Sequence, residues 1–97
     1  MRIYKKPLEF EWDKGNTRKN KKHKVEDLEA EEVFFDDRKK SYKDVIHSGT
    51  EERYILLGRT KKNRLLYLVF TIRNGRVRII SAGNVNQKEV PLYEKKS

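Results

Sequence analysis

The sequence predicts an antiparallel β-sheet with two N-terminal helices on one face and a short C-terminal helix, an α+β arrangement, and three observations predict it. Asn74-Gly75, the dipeptide that best supplies the two positive φ angles of a type I′ turn, separates two long β-patterned runs within NRLLYLVFTIRNGRVRIISA. A third run of the same kind, RYILLGR, stands just upstream across the polar loop Thr60 to Arg64. Charge-rich stretches of helical character precede all three.

In chain order, Leu8 to Trp12 sets Phe10 and Trp12 on one side and Glu9 and Glu11 on the other, as an edge strand does. Asp13 can accept from the free amides of a first helical turn, which predicts a basic helix over residues 14–22. An acidic helix follows over residues 27–34, with Leu28, Val33 and Phe34 turned inward. Ser41 to Ile46 is a weaker strand candidate, interrupted by Lys43-Asp44, and His47-Ser48-Gly49-Thr50 is a loop. Strands over 53–59, 65–73 and 76–82 complete the sheet. Asn86 and Glu89 have capping-box spacing, yet Pro91 would delete a hydrogen bond inside a helix begun there, at about 3 kcal/mol. The final helix therefore starts nearer Val90, with Pro91 in its first turn, or the tail is short and frayed.

A two-residue turn fixes the hairpin register. Arg73 pairs with Arg76, Thr71 with Arg78, Val69 with Ile80 and Tyr67 with Ala82 on one face, while Leu68, Phe70, Ile72, Val77 and Ile79 fill the other. With a five-residue loop, Arg59 lies opposite Leu65, and continuing that ladder places Arg53 opposite Thr71, in one row with Arg78. Like charges that close on a bare sheet are destabilising, so the row calls for an anion, either a protein carboxylate or a phosphate.

Composition narrows the function. The 97 residues fit one domain spanning 1–97, and a formal charge of +9 with a pI near 9.8 favours a polyanionic partner over a neutral metabolite. Ribosomal protein, nucleic-acid binder, nuclease and toxin all fit. The chain has no cysteine, which excludes disulfides, thiol catalysis and Cys-based zinc sites. No stretch approaches the roughly 20 apolar residues of a membrane span, so a soluble cytoplasmic protein without membrane contact is expected. Charge is segregated: residues 14–24 hold Lys14, Arg18, Lys19, Lys21, Lys22 and Lys24 with no acid, and residues 25–37 hold only acids. The two histidines lack a third ligand at metal-site spacing, so no metal or other cofactor is expected.

The chain resembles the BrnT family of type II toxin-antitoxin toxins. The resemblance rests on Phe10-Glu11-Trp12-Asp13, Lys22-His23 with Val25, Glu29-Ala30-Glu31-Glu32-Val33-Phe34, His47-Ser48 leading to Glu51-Glu52-Arg53, Ile55-Leu56-Leu57-Gly58, Leu65-Leu66, Val69-Phe70-Thr71 and Arg78-Ile79-Ile80-Ser81-Ala82. It covers about residues 8 to 94 and implies a compact RelE-like fold. It further implies a metal-independent endoribonuclease that arrests translation until a ribbon-helix-helix antitoxin neutralises it, with RNA as substrate and DNA reached only through that antitoxin.

Such chemistry needs activation of a ribose 2′-hydroxyl, donors for the phosphorane charge and an acid for the leaving oxygen. Arg53 and Arg78 suit the phosphorane, because guanidinium forks bind phosphate oxygens bidentately. His23 exchanges protons near neutral pH or caps its helix, and His47 has the same two readings. Glu52 acts as a base or, with Glu51, orients Arg53. Tyr93 is retained from the family pattern and completes the candidate catalytic set. Lys19, Lys22, Arg73, Arg76 and Lys88 are the candidate RNA-binding cations. The sequence departs from the family where Gly83 replaces an arginine and where Val90-Pro91 replace a later basic pair. A missing cation beside the phosphate costs several kcal/mol of transition-state stabilisation, so a weakly catalytic or inactive RNA- or antitoxin-binding module is the alternative.

Overall fold

At the Asn74-Gly75 turn the chain must reverse within two residues, and both take positive φ, 53° and 76°. The resulting hairpin organises a four-stranded sheet. The computed structural model describes residues 8–17, 24–46 and 48–95. Their elements are α1 (Asp27–Val33), β1 (Lys40–Lys43), β2 (Tyr54–Arg59), β3 (Leu65–Arg73), β4 (Arg76–Asn84) and α2 (Val90–Glu94). The strands lie in the order β1-β2-β3-β4, each antiparallel to its neighbour.

Near the turn the register is the one the sequence predicts, with Arg73 opposite Arg76, Thr71 opposite Arg78 and Phe70 opposite Ile79. Beyond it a bulge leaves Ile80 without an opposite number, so Val69 faces Ser81, Leu68 faces Ala82 and Tyr67 faces Gly83. This corrects the expected Val69–Ile80 and Tyr67–Ala82 pairs. An inserted residue switches every later side chain to the other face. Here the switch turns Ala82 into the core beside Leu68, at 3% exposure. The loop between β2 and β3 has the predicted length: the Thr60 amide donates to the Arg64 carbonyl, and Arg59 lies opposite Leu65.

Alternation divides the sheet into two apolar surfaces. Leu56, Leu66, Leu68, Phe70, Val77, Ile79 and Ala82 pack with Val25 and with Ala30, Val33 and Phe34 from the α1 region. Phe34 sits edge-on to Phe70 at 5.0 Å and to Phe10 at 5.3 Å, contacts worth about 0.5–1.5 kcal/mol each beyond area burial. On the opposite face Ile55 and Leu57 pack with Tyr93 of α2, flanked by Leu65, Tyr67 and Val85. Leu28 is 67% exposed, contrary to the inward orientation expected. At 3.6 residues per turn it points about 200° away from Ala30, and only the Ala30/Val33/Phe34 stripe meets the sheet.

The N-terminal segment also departs from expectation. Instead of an antiparallel edge strand, it makes one parallel bridge, Phe10 to Val77, in which Glu11 N donates to Val77 O and Val77 N to Glu9 O, both at 2.8 Å. Pairing stops because the chain turns at once: the amides of Asn16 and Thr17 donate to the Asp13 carbonyl, and Asp13 Oδ1 accepts from Gly15 N. Asn16, 2% exposed, locks this turn by donating to the carbonyls of Glu11 and Ile79 while accepting from Asp13 N. Residues 14–17 are thus a turn, residues 18–22 of the expected basic helix lie outside the described residues, and among the described residues one helix precedes the sheet. β1 ends at Lys43 rather than Ile46. α2 starts at Val90 with Pro91 in its first turn, and Glu89 rather than Asn86 occupies its N-cap position.

Gly58 permits α1 to approach β2: a Cβ there would lie 2.7 Å from Val33 Cγ1 and 3.2 Å from Val33 O. Gly58→Ala is expected to destabilise the fold by about 1–3 kcal/mol through overpacking. Urea denaturation checks this, and an unchanged midpoint with an unchanged slope would rule the close approach out as a constraint.

Candidate functional site

The hairpin gathers Arg73, Arg76 and Arg78 at one end of the sheet, on the face opposite α1. Each arginine meets a carboxylate. Arg78 donates from Nη1 to Glu11 Oε1 at 2.8 Å and grips Asp13 with both Nη atoms, at 2.8 and 2.9 Å. Its side chain is only 13% exposed. Arg73 forms a fork with Glu51, Nε and Nη2 donating at 3.0 and 3.1 Å, and lies 3.7 Å from Glu11. Arg76 Nε donates to Glu9 at 3.2 Å. The anion that the arginine row calls for is supplied in this structure by protein carboxylates. Arg78 holds the Asp13 carboxyl down at about 2, and Asp13 in turn raises the guanidinium's own pKa.

Arg53 stands one position beyond the terminal Tyr54–Phe70 pair, so the register carries it opposite Thr71 and onto the face of Arg78. Its backbone is fixed: its amide donates to Ser48 Oγ at 3.0 Å, its carbonyl accepts from Asp44 N at 2.8 Å, and Thr71 Oγ1 donates to the preceding Glu52 carbonyl at 2.7 Å. Unlike the three hairpin arginines, Arg53 forms no ion pair among the described residues. Glu52 falls on the other face, where it accepts from Lys43 Nζ at 3.1 Å and Tyr54 Oη at 2.8 Å. The tyrosine hydroxyl and the ammonium both hold its carboxyl below the ordinary range. Glu51, on the arginine face, is the acid that orients a guanidinium, and that guanidinium belongs to Arg73.

Tyr93 belongs to a separate node. Its hydroxyl donates to Asp36 Oδ2 at 2.6 Å, the same oxygen accepts from Arg59 N at 2.8 Å, and the Arg59 guanidinium lies 5.3 Å from the Tyr93 ring centroid. Burial, with the Asp36 carboxylate beside it, pushes the phenol up to about 12. Arg59 pairs with Leu65, six strand positions from Thr71, so Tyr93 and Arg78 are separated by roughly 20 Å along the sheet. Lys88 is exposed in the segment before α2, and Gly83 lies within β4 opposite Tyr67. His23, Lys19, Lys22 and His47 lie outside the described residues. All the acidic residues of the chain are described, whereas Arg2, Lys5, Lys6, Arg18, Lys19, Lys21, Lys22 and Lys96 are not. The described residues are therefore close to charge balance, and most of the +9 falls in the remaining segments. Among the described residues no group of three His, Cys, Asp or Glu side chains is placed to hold a metal ion, and no helix is long and apolar enough to cross a membrane.

Asn16 and Asp36 escape the sequence reading. Each is a single polar residue whose partners come from distant elements, and only the pattern Asp13-x-x-Asn16 hints at a turn.

An α+β domain with a four-stranded antiparallel sheet and a cation-bearing face is the class that these elements define. Residues 12–89 match the family described as the ribonuclease toxin, BrnT, of type II toxin-antitoxin systems, and the chain belongs to that family. Membership identifies it with ribonuclease toxins and implies an antitoxin partner. No curated protein matches the chain.

The Asp13–Arg78 pair has a pH signature. A carboxyl depressed from 3.8 to about 2 contributes stability that is fully present above pH 3.8 and is lost as pH falls through about 2. NMR titration should find the Asp13 carboxyl midpoint near that lower value, and Arg78→Ala should return it toward 3.8. A midpoint that ignores the substitution would show that Arg78 is not its partner.

Proposed function

We propose that the protein is a metal-independent endoribonuclease that cleaves RNA on the sheet face bearing Arg53, Thr71 and Arg78, thereby inhibits translation in the cytoplasm, and is neutralised by a ribbon-helix-helix antitoxin. The observation that carries this reading is Arg78 opposite Thr71 on the face away from α1, with Arg53 one residue beyond the last β2–β3 pair, in a chain of a ribonuclease toxin family. Their roles differ. A guanidinium has five N–H donors, and Arg78 spends three contacts on Glu11 and Asp13, so it is a fixed positive charge with limited spare donors. Arg53, with a fixed backbone and no carboxylate partner among the described residues, is the fork that takes the scissile phosphate. Arg73 and Arg76 hold flanking phosphates only by displacing Glu51 and Glu9, exposed pairs worth about 0–1 kcal/mol each. Lys19, Lys22 and Lys88 contribute to attraction of the strand, and His23 is the candidate proton-transfer group. Glu52, on the opposite face, and Tyr93, at the far end of the sheet, support the fold in this reading rather than the chemistry.

Arg53→Ala should lower kcat/KM for RNA cleavage by about 100- to 1000-fold, the usual effect of removing one transition-state donor, with little change in melting temperature. Arg78→Ala should lower both activity and melting temperature, because it leaves Glu11 and Asp13 close together without their cation. Parental cleavage by Arg53→Ala would sink the assignment.

The second reading, an RNA- or antitoxin-binding module with little catalysis, draws support from the carboxylates already seated on Arg78 and from Gly83. Gly83→Arg separates the two. Increased growth arrest on induction without antitoxin, together with faster RNA cleavage, would show that position 83 limits a catalytic site, and equal values would place it outside one.

A further inference from the structure

The paired hairpin arginines raise the question of where unpaired positive charge accumulates in the described residues, and the answer is the other end of the sheet. A groove of about 1420 Å³ runs between the turn after α1, the loop joining β2 to β3, and α2. Arg38, Lys39, Lys40, Lys61 and Lys95 line it, and among the described residues none of them forms an ion pair, although Lys39 Nζ donates to the Asp36 carbonyl at 3.4 Å and its charge acts on the Asp36 carboxylate. Four acids share the lining, and two of them are held in place by neutral donors. Asp36 accepts from Tyr93 Oη and from the amides of Arg38 and Arg59, and Glu32 accepts from Lys61 N at 3.0 Å. Asp37 and Glu94 remain at the groove.

Phe35 adds the second component. It lines the same groove and is 65% exposed, with the Phe10 ring edge-on at 6.5 Å. An exposed ring among cations is what a single strand of nucleic acid uses: the cations track the phosphates and the ring stacks a base, whatever its identity. We propose that this groove is a second, sequence-tolerant binding site for single-stranded RNA, with Phe35 as the stacking platform and Lys39, Lys40, Lys61 and Lys95 as phosphate contacts. The proposal rests on the ribonuclease reading above. Because Arg59 at the groove lies six strand positions, about 20 Å, from the Thr71 row, the groove holds RNA beyond the cleaved bond and favours long substrates over short ones.

The test measures binding and cleavage of two labelled oligouridylates, one of about 20 nucleotides, long enough to span both sites, and one of about 5, which is not. Phe35→Ala and the double variant Lys39→Ala/Lys61→Ala should each weaken binding of the long RNA by about tenfold, and the lysine variant should also flatten its salt dependence. Both should leave cleavage of the short RNA at the parental rate, since it is cut at the sheet face without reaching the groove. Lys62→Ala, an exposed neighbour outside the groove lining, should behave as the parent. Parental binding of the long RNA by both groove variants overturns the proposal, and if Arg53→Ala still abolishes cleavage of the short RNA, the sheet-face reading survives alone. A poly-glutamate peptide that displaces the long RNA and itself loses affinity in the groove variants also overturns it, and makes the groove a seat for an acidic protein partner.

Discussion

A tight hairpin that sets Arg73 against Arg76, with Arg78 two residues on, concentrates positive charge at one end of the sheet, and the fold around it is arranged to supply the missing anions. Glu9, Glu11 and Asp13 come from one side and Glu51 from the other. Seating those carboxylates fixes the path of the N-terminal segment along β4. That path places Phe10 against Phe34 and lets Trp12 Nε1 donate to Glu31 on α1 at 2.6 Å. The charge pairs on the exposed rim contribute little individually, but the two-toothed Asp13–Arg78 grip on a largely covered side chain is directional, and the Asn16 turn continues from it.

The same neutralisation redistributes function. An arginine already holding carboxylates is a poor first contact for RNA, since phosphate must displace a partner of equal charge held by the chain itself. The described body is close to charge balance, so long-range attraction of a polyanion depends on the basic segments that contribute most of the +9. In the function proposed above, local recognition would fall to Arg53 on the sheet face and to the lysines around Phe35 at the far end, which form no ion pair among the described residues. Asp36 ties that far end together, since it joins α2 through Tyr93 to the end of β2 through Arg59. A phenol held by a carboxylate and raised to about 12 is a poor proton donor at neutral pH, which fits Tyr93 to an anchoring role.

Sequence by itself determined the hairpin, its turn type, the span of β3 and the Arg59–Leu65 register, because each depends on neighbours within a few residues and on the strand period of two; β2 is one residue shorter than expected, and of the two readings of the tail the structure takes the one with Pro91 in the first turn of a helix. It also set Thr71 opposite Arg78, and, for a five-residue loop, Arg53 in the same row; the structure shows the Thr71–Arg78 pair and the Arg59–Leu65 pair from which that row is counted. The tertiary structure decided what the row touches. Whether an arginine faces phosphate or carboxylate depends on where residues 9–13 travel, a contact across more than sixty positions that no local pattern encodes. The bulge at Ile80 was equally hidden: an alternating apolar run reads the same with or without one extra residue, and only the need to bury Ala82 beside Leu68 selects it. Tyr93, which the family pattern places in the candidate set, donates to Asp36 at the end of the sheet away from Arg78, because a short helix can be seated on either half of a sheet face, and the apolar surface of Ile55 and Leu57 decides which.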